Sequence, residues 1–359
     1  MKEDVDLNVV FNSIAKRGRS PRGSMAESNA SPGLLRSYFG AGCVLLFIFA
    51  FLLRFIGLDW GGVHADENPS AAAKVLTGNL IPDVHYYSPF FNYLIAAVYA
   101  LLYGIGRMAG WWNSTEAFRA AYFSDKATFI SAARLVSVCV SAAAAPVSAL
   151  LAREMKLSRL DSLLLGAVVA LASASVFWGR IAKGDSGMGP ALLLFVLTAV
   201  RFYSEPERIS RAILLGFSIA LPMSFKHSSV FFLAPALCIL AAFTVYNLGQ
   251  WRPWLVSWLI VSLATVIFWV PMNIGIVLDP KGFFAAQVVQ SQMSIHRASV
   301  VVSAAEWYNG ITSVPSGVPL MILVLWFLSV PIVMFLTKDR TLRVGLGLMF
   351  FPAWPRWLR

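Results

Sequence analysis

Stretches of about 20 apolar residues, each long enough to cross a bilayer as a helix, recur along this chain and leave few folds open to it. They lie near residues 40–58, 130–152, 160–178, 187–203, 228–247, 254–278 and 317–336. Backbone groups in lipid must find their hydrogen bonds inside the segment, so each stretch is expected to be a helix. Two shorter runs are ambiguous: PFFNYLIAAVYALLYGIG (89–106) is aromatic-rich, and AILLGFSIALPM (212–223) ends in Pro222. Of the 359 residues 58% are hydrophobic and 13% charged, with a mean hydropathy of +0.69. That balance excludes a soluble domain of this size.

The formal charge of +11 sits mostly in short basic runs beside apolar segments. This pattern signals topology rather than a nucleic-acid face. Residues 1–36 are polar and basic and are expected to form a disordered cytoplasmic tail, with the first apolar segment as signal anchor. The positive-inside tendency then places REMKLSR (153–159), RFYSEPERISR (201–211), GQWRPW (249–254) and TKDRTLR (337–343) inside. That assignment requires 212–223 to cross and 89–106 to lie in the outer interface as an amphipathic or re-entrant helix. Asp66, Asp185, KHSS (226–229) and a long loop from 279 to about 316 then share the outer face. The expectation is an all-α polytopic membrane protein of about 8–9 transmembrane helices, its module spanning 37–345 and a truncated or interfacial segment covering 346–359, where Pro352 and Pro355 interrupt a final apolar run.

Against this background the stretch GLDWGGVHADENPSAAAKVL is conspicuous, because it sets Asp66 and Glu67 at the mouth of the first helix. Asp-Glu-Asn-Pro reads as a helix start, and equally as a general base or metal ligand at the membrane face. Asp185, in RIAKGDSGMG, is either a loop acid neutralised by Arg180 and Lys183 or a second carboxylate converging on Asp66 with those bases facing a phosphate. Lys226 and His227 interrupt two apolar segments, where ionisable groups snorkel or mark a site. His296 and Arg297 belong to the long outer loop, and with His64 and His85 all four histidines fall on the outer face. None has zinc spacing, so a divalent ion on Asp66 and Asp185 stays one option only. Cys43, Cys139 and Cys238 stand apart in apolar stretches and read as small buried hydrophobes. Phosphate-loop, dinucleotide and nucleophile-elbow motifs are absent, so no nucleotide cofactor is expected. Trp60, Tyr86, Tyr87, Trp111, Trp112, Trp178, Trp307 and Tyr308 cluster near helix ends, as interfacial belt residues or as platforms for a sugar.

The order of these features is more specific than any one of them. A first helix is followed by ADEN, HYYSPFFNYLIAAVYALLYGIG, ARLVSVCVSAAAAPVSALLAREM, ASASVFWGRIAKGDSG, FKHSSVFFLAP, LDPKGFF and IHR. From about residue 40 to 336 the chain resembles the GT-C superfamily of polytopic glycosyltransferases, in particular dolichyl-phosphate-mannose protein mannosyltransferases and bacterial lipid-carrier-dependent glycosyltransferases. The resemblance implies an inverting transfer from a polyprenyl-phosphate-linked sugar to a protein, lipid or glycan acceptor. It implies action on the periplasmic or lumenal face of a bacterial inner membrane or the endoplasmic reticulum. It places the first-loop acid on Asp66 with Glu67 beside it, the second-loop acid on Asp185, the basic position on Lys226 before His227, and the long-loop histidine on His296. The interfacial helix falls on SPFFNYL. Donor-phosphate contacts are then expected from Arg180, Lys183, Lys226, His227, His296 and Arg297. A transporter and an inactive scaffold of the same fold are the rival readings; no inverted repeat supports the first.

Overall fold

A computed structural model describes residues 32–298 except 60, 61, 65, 68, 83 and 84, together with 339 and 345–347; the side chains of 32–37, 247 and 294–298 fall outside that description. The span expected at 317–336, the loop beyond 298, Trp60, Trp307, Tyr308 and most of 346–359 lie outside the described residues. Every regular element among the described residues is a helix. Residues 1–41 form one unit, of which only the opening of the first helix is described, and residues 42–359 form the other.

Among the described residues six helical stretches are long and apolar enough to cross a membrane: Tyr38–Phe55, Pro89–Met108, Lys126–Glu154, Asp185–Ser204, His227–Tyr246 and Trp251–Met272. The chain is thus an integral membrane protein. The first stretch belongs to α1 (Pro32–Phe55) and is followed by the short α2 (Pro69–Val75). Helix α3 is Pro89–Met108, and α4 is Thr115–Ser124. The run expected at 130–152 is two stacked helices, α5 (Lys126–Ala142) and α6 (Ala144–Glu154). Pro146, lacking an N–H, cannot bond back to Ala142, and the ladder is interrupted at Ala143. The run expected at 160–178 is also divided, into α7 (Arg159–Leu171) and α8 (Ser173–Trp178), with Ala172 extended between them. Helix α9 is Asp185–Ser204 and α10 is Ile209–Phe225, 17 residues rather than the 12 of the apolar run. After a single 3-10 turn at His227–Ser229 come α11 (Val230–Leu248), α12 (Trp251–Met272), α13 (Ile274–Leu278) and α14 (Pro280–Ala298). Helix α14 occupies what the sequence reading treats as loop, since its polar composition conceals it.

The bundle's main core lies between α6, α9, α10, α11 and α12, where Leu151, Phe195, Val200, Phe202, Leu215, Leu233 and Leu240 are buried. Helices α10 and α12 approach closely because Gly216 has no side chain: a Cβ there would sit 2.7 Å from the Val261 carbonyl oxygen. Small residues at such contacts are how membrane helices gain packing. Cys139 and Cys238 are exposed on their helices rather than buried. A second core joins α3 to α2, α5, α9 and α10. Phe91, Ile95 and Tyr99, spaced on one face, pack with Phe129 and Phe225. The Tyr99 hydroxyl donates to the Phe129 carbonyl at 2.9 Å, the Tyr93 hydroxyl donates to Leu80 at 2.8 Å, and Gly106 lies against Trp112.

Candidate functional site

The α1–α2 connection, the α8–α9 connection and the α10–α11 turn meet at one end of the helices in residues 42–359, and each brings charge. The Lys183 ammonium lies 2.7 Å from an Asp66 carboxylate oxygen and 3.2 Å from one of Asp185. Lys226 pairs with the other Asp185 oxygen. Four charges from three distant segments thus form a chain, Asp66–Lys183–Asp185–Lys226, with side chains 19–38% exposed. The hydrogen bond from Lys183 holds the Asp66 carboxyl below the usual aspartate range. Burial works to neutralise Lys183, but its bonds to Asp66 and Asp185 outweigh that, and its pKa stands above the ordinary lysine value.

Glu67 follows Asp66 directly and is placed quite differently. Its side chain is fully buried, with Arg134 donating from Nε to one oxygen and from Nη2 to the other, both at 2.8 Å. The backbone N–H groups of Ala182 (2.9 Å) and His64 (2.8 Å) complete the carboxylate's shell. Burial pushes the Glu67 carboxyl up, yet these donors prevail and leave it below the ordinary glutamate range. Arg134 also donates to the Leu58 and Gly62 carbonyls, so one guanidinium pins both sides of the acidic loop to α5. Glu67, expected beside Asp66 as a reactive acid, has both oxygens occupied and no access to water.

Two further arginines sit behind the α8–α9 connection, and the sequence reading gave neither this place. Arg54 is wholly buried and donates to the Ala50 carbonyl at 2.9 Å, to the Ala170 carbonyl at 3.3 Å and to the Ser175 hydroxyl at 2.7 Å. Arg180, expected at a phosphate, turns back to donate to the Leu53 and Arg54 carbonyls at the end of α1. Among the described residues no carboxylate pairs with either. A charge inside an apolar run is the signal that marks Arg54 and Arg134.

The histidines divide. His64 keeps to the acidic loop, 3.9 Å from Asp66. His85 is buried and bonds Asp279 at 3.0 Å, while its carbonyl accepts from Gln287, which ties the start of α14 to this end. The bond from the Gly282 N–H, then that from His85, keeps the Asp279 carboxyl low. His227 packs its ring edge on Phe283 rather than joining the charged chain, and its Nε2 meets no partner among the described atoms. His296 and Arg297 fall in the last turn of α14, their side chains outside the described residues.

A divalent ion bridging Asp66 and Asp185 would need the place the Lys183 ammonium takes, so the donor set does not fit that metal; among the described residues no group of three or more metal-binding side chains gathers. Lys183 instead stands between two cavities. One, of about 500 Å³, is lined by Ser141, Ser175, Trp178, Lys183, Asp185 and Gly189 among others. The other, about 290 Å³, is lined by Asp66, Tyr86, Tyr87, Asn92, Lys183 and Phe225 among others. The partition is tight: a Cβ on Gly184 would lie 2.5 Å from the Phe225 carbonyl oxygen, so only glycine lets the loop pass. No model of a known protein family matches the chain, and no curated protein matches it.

Proposed function

We propose that the chain is a membrane glycosyltransferase that moves a sugar from a polyprenyl-phosphate carrier to an acceptor hydroxyl at the outer membrane face. The convergence of Asp66, Lys183, Asp185 and Lys226 between two cavities carries this reading, because transfer between a lipid-held donor and a polar acceptor needs a base, a counter-charge for phosphate and room for two substrates. The acceptor oxygen bonds to the anomeric carbon from the face opposite the phosphate while the bond from that carbon to the phosphate oxygen breaks, giving inversion. Asp66, which lines the smaller cavity, takes the acceptor proton. The lipid phosphate leaves with the bonding electrons, and Lys183 and Lys226 balance its charge. Lys183 turning from Asp66 toward the phosphate removes the bond that keeps the carboxyl weakly basic, so donor binding itself readies the base. Asp185 holds both lysines, and Glu67 with Arg134 fixes the loop from which Asp66 projects.

The packing of α3 supports its lying along the outer interface. Three of its partners, Leu80, Phe129 and Phe225, come from segments that adjoin the Asp66 loop, Arg134 or Lys226. The test is sugar transfer by purified protein from a polyprenyl-phosphate sugar. Asp66→Asn is expected to lower turnover by about 10²–10⁴-fold with the protein still folded; wild-type turnover in that variant removes Asp66 from the reaction.

A further inference from the structure

The larger cavity is lined by residues of two kinds. Its polar lining is Lys183, Asp185, Ser141, Ser175 and Ser186, and Trp178, Met188 and Pro190 are among its apolar lining. Next to this lining stand Arg54, which bonds the lining Ser175, and Arg180, which bonds the Leu53 and Arg54 carbonyls, two guanidinium charges with carbonyl and hydroxyl partners only among the described residues. The Asp185 charge is already met by Lys183 and Lys226. The surroundings therefore carry an excess of positive charge that no described group balances. Ser175 transmits it: its oxygen accepts from Arg54, which leaves its own O–H free to donate into the cavity it lines. The helices that carry and directly precede the lining residues Ala174, Ser175 and Trp178 expose apolar surface. Leu164, Val168 and Leu171, at one-turn spacing on α7, and then Phe177 on α8, are all more than half exposed.

We infer that this cavity is a binding site for the phosphate head of a membrane lipid, with Ser175, backed by Arg54, as a direct phosphate ligand and the α7–α8 face as the track for its chain. A volume of about 500 Å³ lies in the range that holds a small ligand or head group. The inference rests on the proposed function only in taking that lipid to be the sugar donor, which leaves the smaller, aromatic-lined cavity to the acceptor. Lys183, bordering both, is then the one residue among those described that is able to touch both substrates.

Gly189 provides the means to test this. It borders the cavity, and a Cβ there meets nothing within 4 Å, so a large side chain can fill the space without a clash at its base. The full chain, purified in micelles, is titrated with a polyprenyl monophosphate, with the uncharged polyprenol and with inorganic phosphate. Gly189→Phe and the near-isosteric Ser175→Ala are each expected to weaken polyprenyl phosphate binding by about tenfold or more, whereas Ala71→Phe, in the smaller cavity, leaves it unchanged. Polyprenol is expected to bind weakly and inorganic phosphate not to compete. Wild-type affinity in both Gly189→Phe and Ser175→Ala overturns the site. Loss in Ala71→Phe alone moves the lipid to the other cavity and overturns the site while sparing the transferase reading. Equal binding of polyprenol, or full competition by inorganic phosphate, overturns the lipid-phosphate specificity. Lipid binding as expected with no sugar transfer counts against the proposed function and leaves the site standing.

Discussion

Asp66 and Glu67 are neighbours with the same functional group, and the fold employs them in opposite ways. Glu67 is sealed, and its four donors have no water to compete with. Asp66 is 38% exposed and held by a single ammonium that Asp185 also shares. A carboxylate with a full set of buried donors is an anchor, since moving any partner strands a charge in the interior. A carboxylate on one movable lysine can exchange that lysine for a substrate. The backbone turns at this point, the Glu67 N–H bonding the His64 carbonyl at 2.9 Å, and the two adjacent side chains leave the turn for different surroundings, one for the core and one for the cavity.

The largest effect expected from this contrast falls on stability. Glu67→Gln leaves Arg134 buried without its counter-charge and is predicted to cost about 3–5 kcal/mol, read in the unfolding midpoint of the purified protein. A double change, Glu67→Gln with Arg134→Gln, is predicted to cost less than the sum of the single changes, because the two residues share one interaction. Asp66→Asn is predicted to do the reverse: turnover falls by orders of magnitude, as above, while stability changes by no more than about 1 kcal/mol, the range of an exposed pair. If the two variants behave alike in both assays, the contrast fails.

Acid sharpens the same comparison. Because the folded-state pKa of Glu67 is depressed, its stabilisation is present above the ordinary glutamate value, about 4.3, and is lost as pH falls through the lower folded value. The gap in unfolding midpoint between wild type and Glu67→Gln should therefore be constant near pH 7 and close below about pH 4. A gap that persists undiminished at lower pH would assign the stabilisation to something other than the ionised carboxylate. The smallest effect belongs to the opposite end of the bundle, where Glu154 and Arg201 pair with side chains 33% and 37% exposed. Glu154→Gln is predicted to change stability by about 0–1 kcal/mol and sugar transfer not at all.

Much of this was legible before the structure. The apolar runs located α1, α9, α11 and α12; the basic loops led to the expectation that Asp66, Asp185 and Lys226 share a face, and the structure links their side chains in one chain of ion pairs through Lys183. Hydropathy could not show the breaks at Ala143 and Ala172, because a broken helix and a straight one have the same composition. Nor could it show α14, which is too polar to register as a membrane segment. The division of labour between Asp66 and Glu67 depends on Arg134, 67 positions away in sequence, and pattern alone does not pair residues at that distance. Arg180 was misjudged for a similar reason: a base beside an acid suggests a phosphate ligand, yet its nearest acceptors are the free carbonyls at the end of α1.

Asn113, in the sequon NST, reports on α3. It is exposed in the turn between α3 and α4, and in a glycosylating secretory pathway it is predicted to be modified when α3 stays at the outer interface; α3 crossing the bilayer would take it to the other side.

The most direct test of a single site built from Asp66, Lys183, Asp185 and Lys226 is sidedness. Single cysteines at 66, 156 and 185, in a chain with Cys43, Cys139 and Cys238 replaced, are labelled in sealed vesicles with a thiol reagent that cannot cross the membrane. Positions 66 and 185 are predicted to label from one face and 156 only from the other. Labelling of 66 and 185 from opposite faces would contradict this, since the chain of charges from Asp66 to Lys226 could not then form one site.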